Sequence, residues 1–225
     1  MNPEFWQSRW QQGRIGFHKS EVNPLLKAYF STLNVAKGGR ILVPLSGKSL
    51  DMAWLTQQGY EVIGIELVES AVEEFFAEQG ITPTVTQPSN NADIKRYQGQ
   101  LSGQTIELWV ADIFALTSED VGQIDAVYDR AALIALPPDT RPKYCEHILD
   151  ISDNAPQLLV TIHYDQSQKD GPPFSVSLEQ VRQYYSDTYQ LTELEVNPSI
   201  LNANAALSVT EHVWLLTPST ANNNP

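Results

Sequence analysis

The chain has 225 residues, 42% of them hydrophobic and 18% charged, so it can bury a sizeable core as one large domain or two small ones. Its net charge of −13 repels polyanions, and no stripe of Lys and Arg with interleaved aromatics offsets this, which argues against nucleic acid as a partner. No apolar run reaches the roughly 18 residues of a membrane-spanning helix, so no membrane partner is expected.

The cysteine and histidine residues indicate the cellular compartment of the protein and whether a metal site is expected. The single cysteine, Cys145, cannot form an internal disulfide and fits a reducing compartment. The N-terminus MNPEFWQSRW shows no basic segment followed by an apolar stretch, hence no secretory signal, and we expect a cytoplasmic protein. Cys145 lies in a helix-like pattern, which predicts a buried structural thiol. The four histidines are scattered without a ligand-like spacing, so no metal site is predicted.

The first segment with a distinct pattern is aromatic. Residues 5–18 read FWQSRWQQGRIGFH and precede the first predicted core strand. One interpretation is a helix packed across a sheet, with Trp6 and Trp10 as ordinary core residues at i and i+4. The other is a lid whose aromatics close on a flat purine or a cationic sulfonium. The composition of the segment leaves both open.

A strand–turn–helix–strand pattern follows and predicts a nucleoside pocket. The apolar run at 40–45 ends at a small-residue turn around Gly47, and the run at 61–66 ends on Glu66, 19 positions later. In doubly wound α/β folds, such a turn brings backbone N–H groups to the ligand and such an acid binds the ribose hydroxyls. The sequence Gly47-Lys48-Ser49 resembles the end of a P-loop, but Leu42 stands where that motif needs its first glycine.

Strand and helix patterns alternate through the rest of the chain. The predicted fold is α/β, a seven-stranded, mostly parallel Rossmann-like sheet with helices on both faces and a C-terminal antiparallel hairpin. The predicted strands are 40–45, 61–66, 105–111, 124–129, 157–164, 189–196 and 207–216.

Helical signals fill the gaps between these strands. Ser70 and Glu73 form a capping-box pattern that predicts the start of one helix, and Ser177 and Gln180 predict the start of another. Pro142 fits the first turn of a third helix. Residues 1–218 are predicted to form a single domain, with 1–30 as the lid, an insertion at 88–104 that includes a small hairpin around 94–98, and a disordered tail at 219–225.

Five motifs in this order resemble the thiopurine S-methyltransferase family. They are F-W-x-x-R-W-x-x-G-x-x-G-F-H from Phe5, V-P-L-S-G-K-S-x-D-M from Val43, G-I-E ending at Glu66, A-D-I-F from Ala111 and Y-D-R-A-A-L from Tyr128. The resemblance runs from about Glu4 to Pro218. It implies a methyltransferase fold, S-adenosylmethionine as methyl donor, a small-molecule thiol as acceptor and a monomeric enzyme.

The resemblance also implies site residues. Trp10, Leu45, Glu66, Ile113, Phe114 and Arg130 would bind the cofactor, with Ile113 and Phe114 flanking the adenine. Phe17 and Arg130 would contact the acceptor. Arg130 would offset the negative charge of a thiolate, or else form a salt bridge with Asp129 or Asp112. Arg130 and Asp112 are the catalytic candidates, with Asp112 or a water as proton acceptor, although the methyl transfer itself needs positioning more than a strong base.

The acceptor is less closely defined than the donor. Vertebrate members place a second arginine near the acceptor in the loop before the final strand, whereas residues 197–206 carry no positive charge here. Aromatic and heterocyclic thiols such as thiopurines are the expected acceptors, with selenium or tellurium compounds as candidates. The alternatives are a halide/thiol or amino-methyltransferase of the same fold and a non-catalytic nucleoside-binding module.

The sequence Gly171-Pro172-Pro173-Phe174 resembles an amino-methyltransferase signature. It follows the fifth predicted strand, however, and begins with glycine, so a structural turn is the favoured interpretation.

Overall fold

The computed structural model describes residues 3–88, 93–198 and 207–219, and within these ranges nine strands form one mixed sheet. In chain order the strands are β1 (Arg40–Pro44), β2 (Glu61–Glu66), β3 (Thr84–Thr86), β4 (Lys95–Leu101), β5 (Gln104–Val110), β6 (Ala126–Arg130), β7 (Gln157–His163), β8 (Tyr189–Pro198) and β9 (Thr210–Pro218). Their spatial order is β3-β4-β5-β2-β1-β6-β7-β9-β8.

The five central strands, β5-β2-β1-β6-β7, are parallel. They read as near-continuous apolar runs because helices cover the sheet on both faces. At one edge, β9 pairs antiparallel with both β7 and β8, which confirms the predicted C-terminal hairpin. The carboxyl ends of the parallel strands meet at one rim of the sheet, where open α/β folds bind their ligands.

The predicted α/β class is confirmed, but the strand count and the share of parallel strands differ. Two extra strands lie at the other edge, where β4 pairs antiparallel with β3 and with β5. Ser102 and Gly103 both have positive φ, 54° and 79°, as the two-residue hairpin turn between β4 and β5 requires. The sequence of β4, KRYQGQL, is polar because this outer strand is only partly buried, and an apolar pattern therefore does not reveal it.

Seven helices accompany the sheet within the described ranges. They are α1 (Pro3–Gln11), α2 (Pro24–Tyr29), α3 (Leu50–Gln57), α4 (Glu69–Glu78), α5 (Ser118–Val121), α6 (Arg141–Ile151) and α7 (Leu178–Tyr185). Ser177 and Gln180 form the predicted capping box of α7. The prediction for Ser70 and Glu73 is wrong, because α4 already begins at Glu69, with Val68 at its N-cap and no side-chain cap. Pro142 lies in the first turn of α6, as predicted.

Two buried clusters pack against opposite faces of the sheet. One contains residues of α6 and α7, including Tyr144, Ile148 and Val181. The other contains residues of α2, α3 and α4 and so places the N-terminal part of the chain on the second face.

No helix in the described ranges is long and apolar enough to cross a membrane. The predicted tail, apart from Ser219, and loop residues 199–206 lie outside the described residues.

Candidate functional site

A cavity of about 980 Å³ opens at the carboxyl ends of β1, β2, β6 and β7, on the face that carries the N-terminal segment. Several of the predicted site residues line it, namely Trp10, Phe17, Leu45, Glu66 and Arg130. Aliphatic, aromatic and charged side chains share its walls. A cavity of this size accommodates a nucleoside-sized ligand together with a second small molecule.

The turn after β1 forms one wall of the cavity. Leu45 has a positive φ of 46°, which is unusual for a residue with a side chain, and Gly47 follows with a φ of 53°. The Ser46 N–H donates to the Ile65 carbonyl at 2.9 Å and ties this turn to β2. A Cβ on Gly47 would lie 3.2 Å from the Trp10 indole, so a side chain there would displace the ring.

Glu66 is buried at the end of β2, with 7% of its surface exposed. Its Oε2 accepts a hydrogen bond from the Gly47 N–H and its Oε1 accepts one from the Val68 N–H, both at 2.8 Å. Burial raises the pKa of this carboxyl above its ordinary value, and the backbone amides that donate to it oppose the rise. Each oxygen keeps a further acceptor position, which suits a vicinal diol.

Lys48 does not serve as a phosphate-binding lysine in this turn. Its ammonium group forms ion pairs with Glu74 at 2.8 Å and Glu78 at 2.6 Å, both on α4. His18 from the N-terminal segment lies near this group, and its pKa is lowered, first by burial and then by the charge of Lys48. The geometry agrees with the absence of the first P-loop glycine in the sequence.

Arg130 ends β6 and lines the cavity beside the N-terminal segment. Its Nη1 donates to the Phe17 carbonyl at 3.3 Å, across 113 positions of the chain. The next residue, Ala131, has a φ of 65°, so the chain turns sharply there. No ion pair between Arg130 and Asp129 or Asp112 is present in the described part of the chain. The guanidinium is thus not neutralised by either predicted partner.

Asp129 faces the opposite side of the sheet and is fully buried. Its Oδ2 accepts a hydrogen bond from the Tyr144 hydroxyl at 2.7 Å and its Oδ1 accepts one from the Leu133 N–H at 3.1 Å. Burial raises the pKa of this carboxyl to about 6, and these hydrogen bonds hold it below the value that burial alone would give. Asp129 fastens β6 to α6 and does not reach the cavity.

Asp112, Ile113 and Phe114 follow β5, on the far side of Glu66 from Arg130. They are not among the residues that line the cavity. Asp112 accepts a hydrogen bond from the Phe114 N–H at 3.1 Å and so caps its own short turn. The Phe114 ring lies 4.3 Å from the Lys143 ammonium. Because β5 pairs with β2 up to Glu66, this turn still lies at the same rim of the sheet.

The aromatic N-terminal segment packs against the rim of the sheet, as one interpretation of its sequence expects, and it also lines the cavity. Phe17 makes edge-to-face contacts with Trp6 and Trp10, with ring centroids 5.8 and 5.7 Å apart. Trp10 packs on Val68 and Ala71 at the start of α4 and is only 8% exposed. The segment is therefore packed against the sheet rim and at the same time lines the cavity.

Asp51 and Glu211 also line the cavity, and the sequence patterns assign neither of them to the site. Asp51 accepts hydrogen bonds from the Asn23 N–H at 2.8 Å and the Tyr128 hydroxyl at 3.0 Å, and so fastens the N-terminal segment to α3 and β6. Its position in the motif V-P-L-S-G-K-S-x-D-M is the sequence feature that could have identified Asp51 as a cavity residue. Glu211 lies on β9 and lines the cavity from the far edge. No motif contains it, and an acid in an alternating strand is usually a solvent-facing residue.

The comparisons with known proteins agree with this geometry. The family model described as thiopurine S-methyltransferase matches residues 1–218. A thiopurine S-methyltransferase of Psychrobacter cryohalolentis is 61% identical over 96% of this chain and 99% of its own length. The protein of that name from Xanthobacter autotrophicus is 43% identical, again over 96% of this chain and 99% of its own.

A solved structure shows the same fold at low sequence identity. The 1,6-didemethyltoxoflavin-N1-methyltransferase of Burkholderia thailandensis, solved with S-adenosylhomocysteine, is 14% identical and has a TM-score of 0.61, covering 96% of this chain and 87% of that one. At this identity the likeness establishes the fold, while the family match and the two relatives establish the family. This chain belongs to the thiopurine S-methyltransferase family and is an S-adenosylmethionine-dependent methyltransferase.

Proposed function

We propose that this chain methylates the sulfur of aromatic and heterocyclic thiols, thiopurines among them, by direct in-line displacement. The observation that carries the proposal is the pairing of Arg130 with Phe17 in the cavity whose other wall is the Glu66 turn. Arg130 binds the Phe17 backbone carbonyl, and its guanidinium and the Phe17 ring both line the cavity, where a cation and an aromatic surface together suit a flat acceptor with an electron-rich sulfur. Selenium and tellurium analogues of the same shape fall within the proposed acceptor range.

The residues present fit the cofactor. Glu66 has acceptor capacity left for ribose hydroxyls, and the sharp turn at Leu45 and Gly47 is proposed to bring backbone close to the ligand, with no side chain at Gly47 to obstruct it. Trp10 offers an aromatic face to a cationic sulfonium, and Ile113 and Phe114 are proposed to flank the adenine. When bound, S-adenosylmethionine supplies a methyl group that its positive sulfur has already activated.

In the reaction, the protein's own residues position the reacting groups and exclude water from them. Arg130 offsets charge at the acceptor sulfur, while Trp6, Trp10 and Phe17 keep the reacting groups out of bulk solvent. Residues 1–30 are proposed to act as the lid of a single domain at 1–218, because their contacts with Arg130 and Asp51 close one side of the cavity.

We also propose that the enzyme is monomeric and works in the cytoplasm. Its cysteine is buried, with a pKa raised to about 12 chiefly by burial, so it is an inert thiol. Among the described residues, Val85 and Val196 are the large hydrophobic side chains that are exposed, and they lie on opposite edge strands. Light scattering coupled to size exclusion tests the mass against 25.1 kDa.

Calorimetric titration with S-adenosylhomocysteine tests the site, with NAD and ATP as controls. We expect saturable 1:1 binding of S-adenosylhomocysteine alone. An acceptor screen with S-adenosylmethionine then compares aromatic thiols with iodide and with amines, and we expect methylation of the thiols. Absence of binding to a folded protein contradicts the assignments of Leu45, Glu66 and Arg130 together. Preferential methylation of iodide or amines contradicts the acceptor class.

A further inference from the structure

Glu211 reaches the acceptor side of the cavity because of the strand order. β7 lies between β6 and β9, and the registers pair Arg130 with Val160 and Ile162 with Glu211. Residues paired across strands, and residues two apart along a strand, share a face of the sheet. Arg130 and Glu211 therefore flank β7 on the face that carries the cavity, and both line it.

The Glu211 carboxylate has no hydrogen-bond or ion-pair partner within residues 3–88, 93–198 and 207–219. The charged groups that face it are Arg130 from β6, Lys19 from the N-terminal segment and Glu195 from β8. Burial raises the pKa of Glu211 above its ordinary value and Glu195 adds to the rise, while Arg130 and Lys19 oppose it. An unpartnered, half-buried carboxylate is thus available to a ligand.

This charge arrangement favours a neutral acceptor. An incoming thiolate would be attracted by Arg130 but repelled by Glu211, which lines the same cavity. A heterocyclic thione, with an N–H next to its C=S, brings no net charge. It presents its sulfur to the cationic side of the site and its N–H to the carboxylate, so both protein groups gain a partner.

We propose that Glu211 is a catalytic residue that takes the ring N–H proton of a neutral heterocyclic thione as its sulfur is methylated. The acceptor sulfur forms a bond to the methyl carbon with the C=S π electrons, and the carbon–sulfur bond of the donor breaks, leaving its electron pair on the departing sulfur. The N–H electron pair becomes the new C=N bond, and the proton goes to a Glu211 oxygen. The inference rests on the proposed thiol methylation and adds the fate of the proton.

The test compares two acceptors in the Glu211→Gln variant. Pyridine-2-thione has an N–H beside its C=S, whereas benzenethiol has no ring nitrogen and reacts as a thiolate. We expect kcat/KM for pyridine-2-thione to fall about 100-fold, the scale of a lost general base. For benzenethiol it should not fall and should rise if it changes at all, because the variant removes a charge that repels the thiolate. Glu193→Gln is the matched control, since Glu193 lies on the neighbouring β8 and pairs with His212 outside the cavity.

Two further measurements separate proton transfer from a structural effect. In the unmodified enzyme, kcat/KM for pyridine-2-thione should fall as the pH is lowered through the raised pKa of Glu211, because the carboxylate must be ionised to accept a proton; Glu211→Gln should lack this limb. Calorimetry should show unchanged S-adenosylhomocysteine affinity in the variant. It should also show weaker binding of pyridine-2-thione to the S-adenosylhomocysteine complex.

The outcomes distinguish this inference from the proposed function. Equal losses for both acceptors, no loss for either, or a retained acidic limb in Glu211→Gln overturns the role of Glu211 while thiol methylation stands. If neither acceptor is methylated by the unmodified enzyme, the proposed function fails first, and the inference fails with it.

Discussion

Glu66 shows how one buried carboxylate can hold together the backbone around a cavity. Its two oxygens hold the Gly47 and Val68 amides, which belong to the turn after β1 and the start of α4. Removing the side chain would leave two buried N–H groups without acceptors, at a cost of about 1–3 kcal/mol each. A truncation to alanine would therefore mix lost stability with lost affinity. Glutamine is the better probe, because its amide oxygen still accepts from one of these N–H groups and its NH2 leaves the other one without an acceptor.

We expect Glu66→Gln to weaken S-adenosylhomocysteine binding by about 2 kcal/mol, or roughly 30-fold, because charge-assisted hydrogen bonds to the ribose become neutral ones. Calorimetry measures the affinity and thermal unfolding checks the fold. Glu61→Gln is the control, since Glu61 starts the same strand and its ion pair with Arg40 at 3.3 Å is remote from the cavity. Unchanged affinity in Glu66→Gln would remove the ribose role.

Because the pKa of the buried Asp129 is raised, we expect the free energy of unfolding to depend on pH. Its pKa in the folded state is raised from 3.8 to about 6, so the folded protein holds this proton more tightly than the unfolded chain. The resulting stabilisation is present below about pH 4 and is lost as the pH rises to about 6, a loss of about 3 kcal/mol.

Denaturant unfolding at pH 4 to 7 measures this effect in the unmodified protein and in Asp129→Asn. We expect the free energy of unfolding of the unmodified protein to decline by roughly 2.4 kcal/mol relative to the variant across this range, because part of the effect already lies below pH 4 and asparagine does not titrate. Parallel curves for the two proteins would show that Asp129 titrates alike in the folded and unfolded states.

At the scale of elements, the N-terminal segment is fastened to the rim of the sheet at several points. Trp10 packs on Val68 and the Gly47 turn, the Phe17 carbonyl accepts a hydrogen bond from Arg130, and the Asn23 N–H donates to Asp51. Between these points the chain at Arg14 is exposed. A ligand in the cavity would add contacts on the inner side of this segment.

We expect S-adenosylhomocysteine at about 100 times its Kd to slow tryptic cleavage after Arg14 by at least about tenfold, because binding opposes the opening of the segment by up to about 2.7 kcal/mol. Cleavage after Lys37, which is exposed just before the amino end of β1, is the internal control and should not change. In Trp10→Ala the protection at Arg14 should be lost. Equal protection at both sites would mean global stabilisation and not closure of this segment.

The elements differ in how far the sequence predicts them. Strands such as β1, β2 and β7 are covered on both faces, so their apolar runs stand out. The hairpin predicted around 94–98 is misplaced, because β4 runs unbroken through Lys95–Leu101 and the chain turns at Ser102 and Gly103. The polar residues of this outer strand give no apolar pattern that would fix its length. The predicted start of α4 is two residues late, because the capping pattern of Ser70 and Glu73 lies just inside the helix and looks the same in sequence as a true cap.

Sequence motifs predict the cavity residues that lie within short contiguous segments. They do not predict the residues that only tertiary packing brings to the cavity. Leu45, Glu66 and Arg130 each end a strand or begin a turn, and a local pattern marks them. Glu211 lines the cavity because β9 lies beside β7 in the sheet. A local sequence pattern does not reveal this strand order. Asp51 looks like an ordinary first-turn acid of α3 until Asn23 and Tyr128 are seen to donate to it.

For the whole molecule, the charge of −13 predicts a stabilising effect of salt. Self-repulsion among the 27 acidic residues, against 14 basic ones, destabilises the compact state, and salt screens it. Raising NaCl from about 20 to about 200 mM should gain about 1 kcal/mol and raise Tm by about 2–4 °C. Differential scanning fluorimetry measures the change, with sucrose at matched osmolarity as the uncharged control, and a fall in Tm with NaCl would contradict the expectation.

The order β7-β9-β8 also constrains how the enzyme is made. β8 is synthesised before β9, yet among the described strands β8 pairs with β9 alone, so it can join the sheet only after β9 has been synthesised. A nascent chain that stops short of Thr210 can assemble the five parallel strands but lacks the outer hairpin and the cavity wall at Glu211. The cavity wall at Glu211 is therefore completed only once β9 has been synthesised, and a chain cut short before Thr210 lacks this wall.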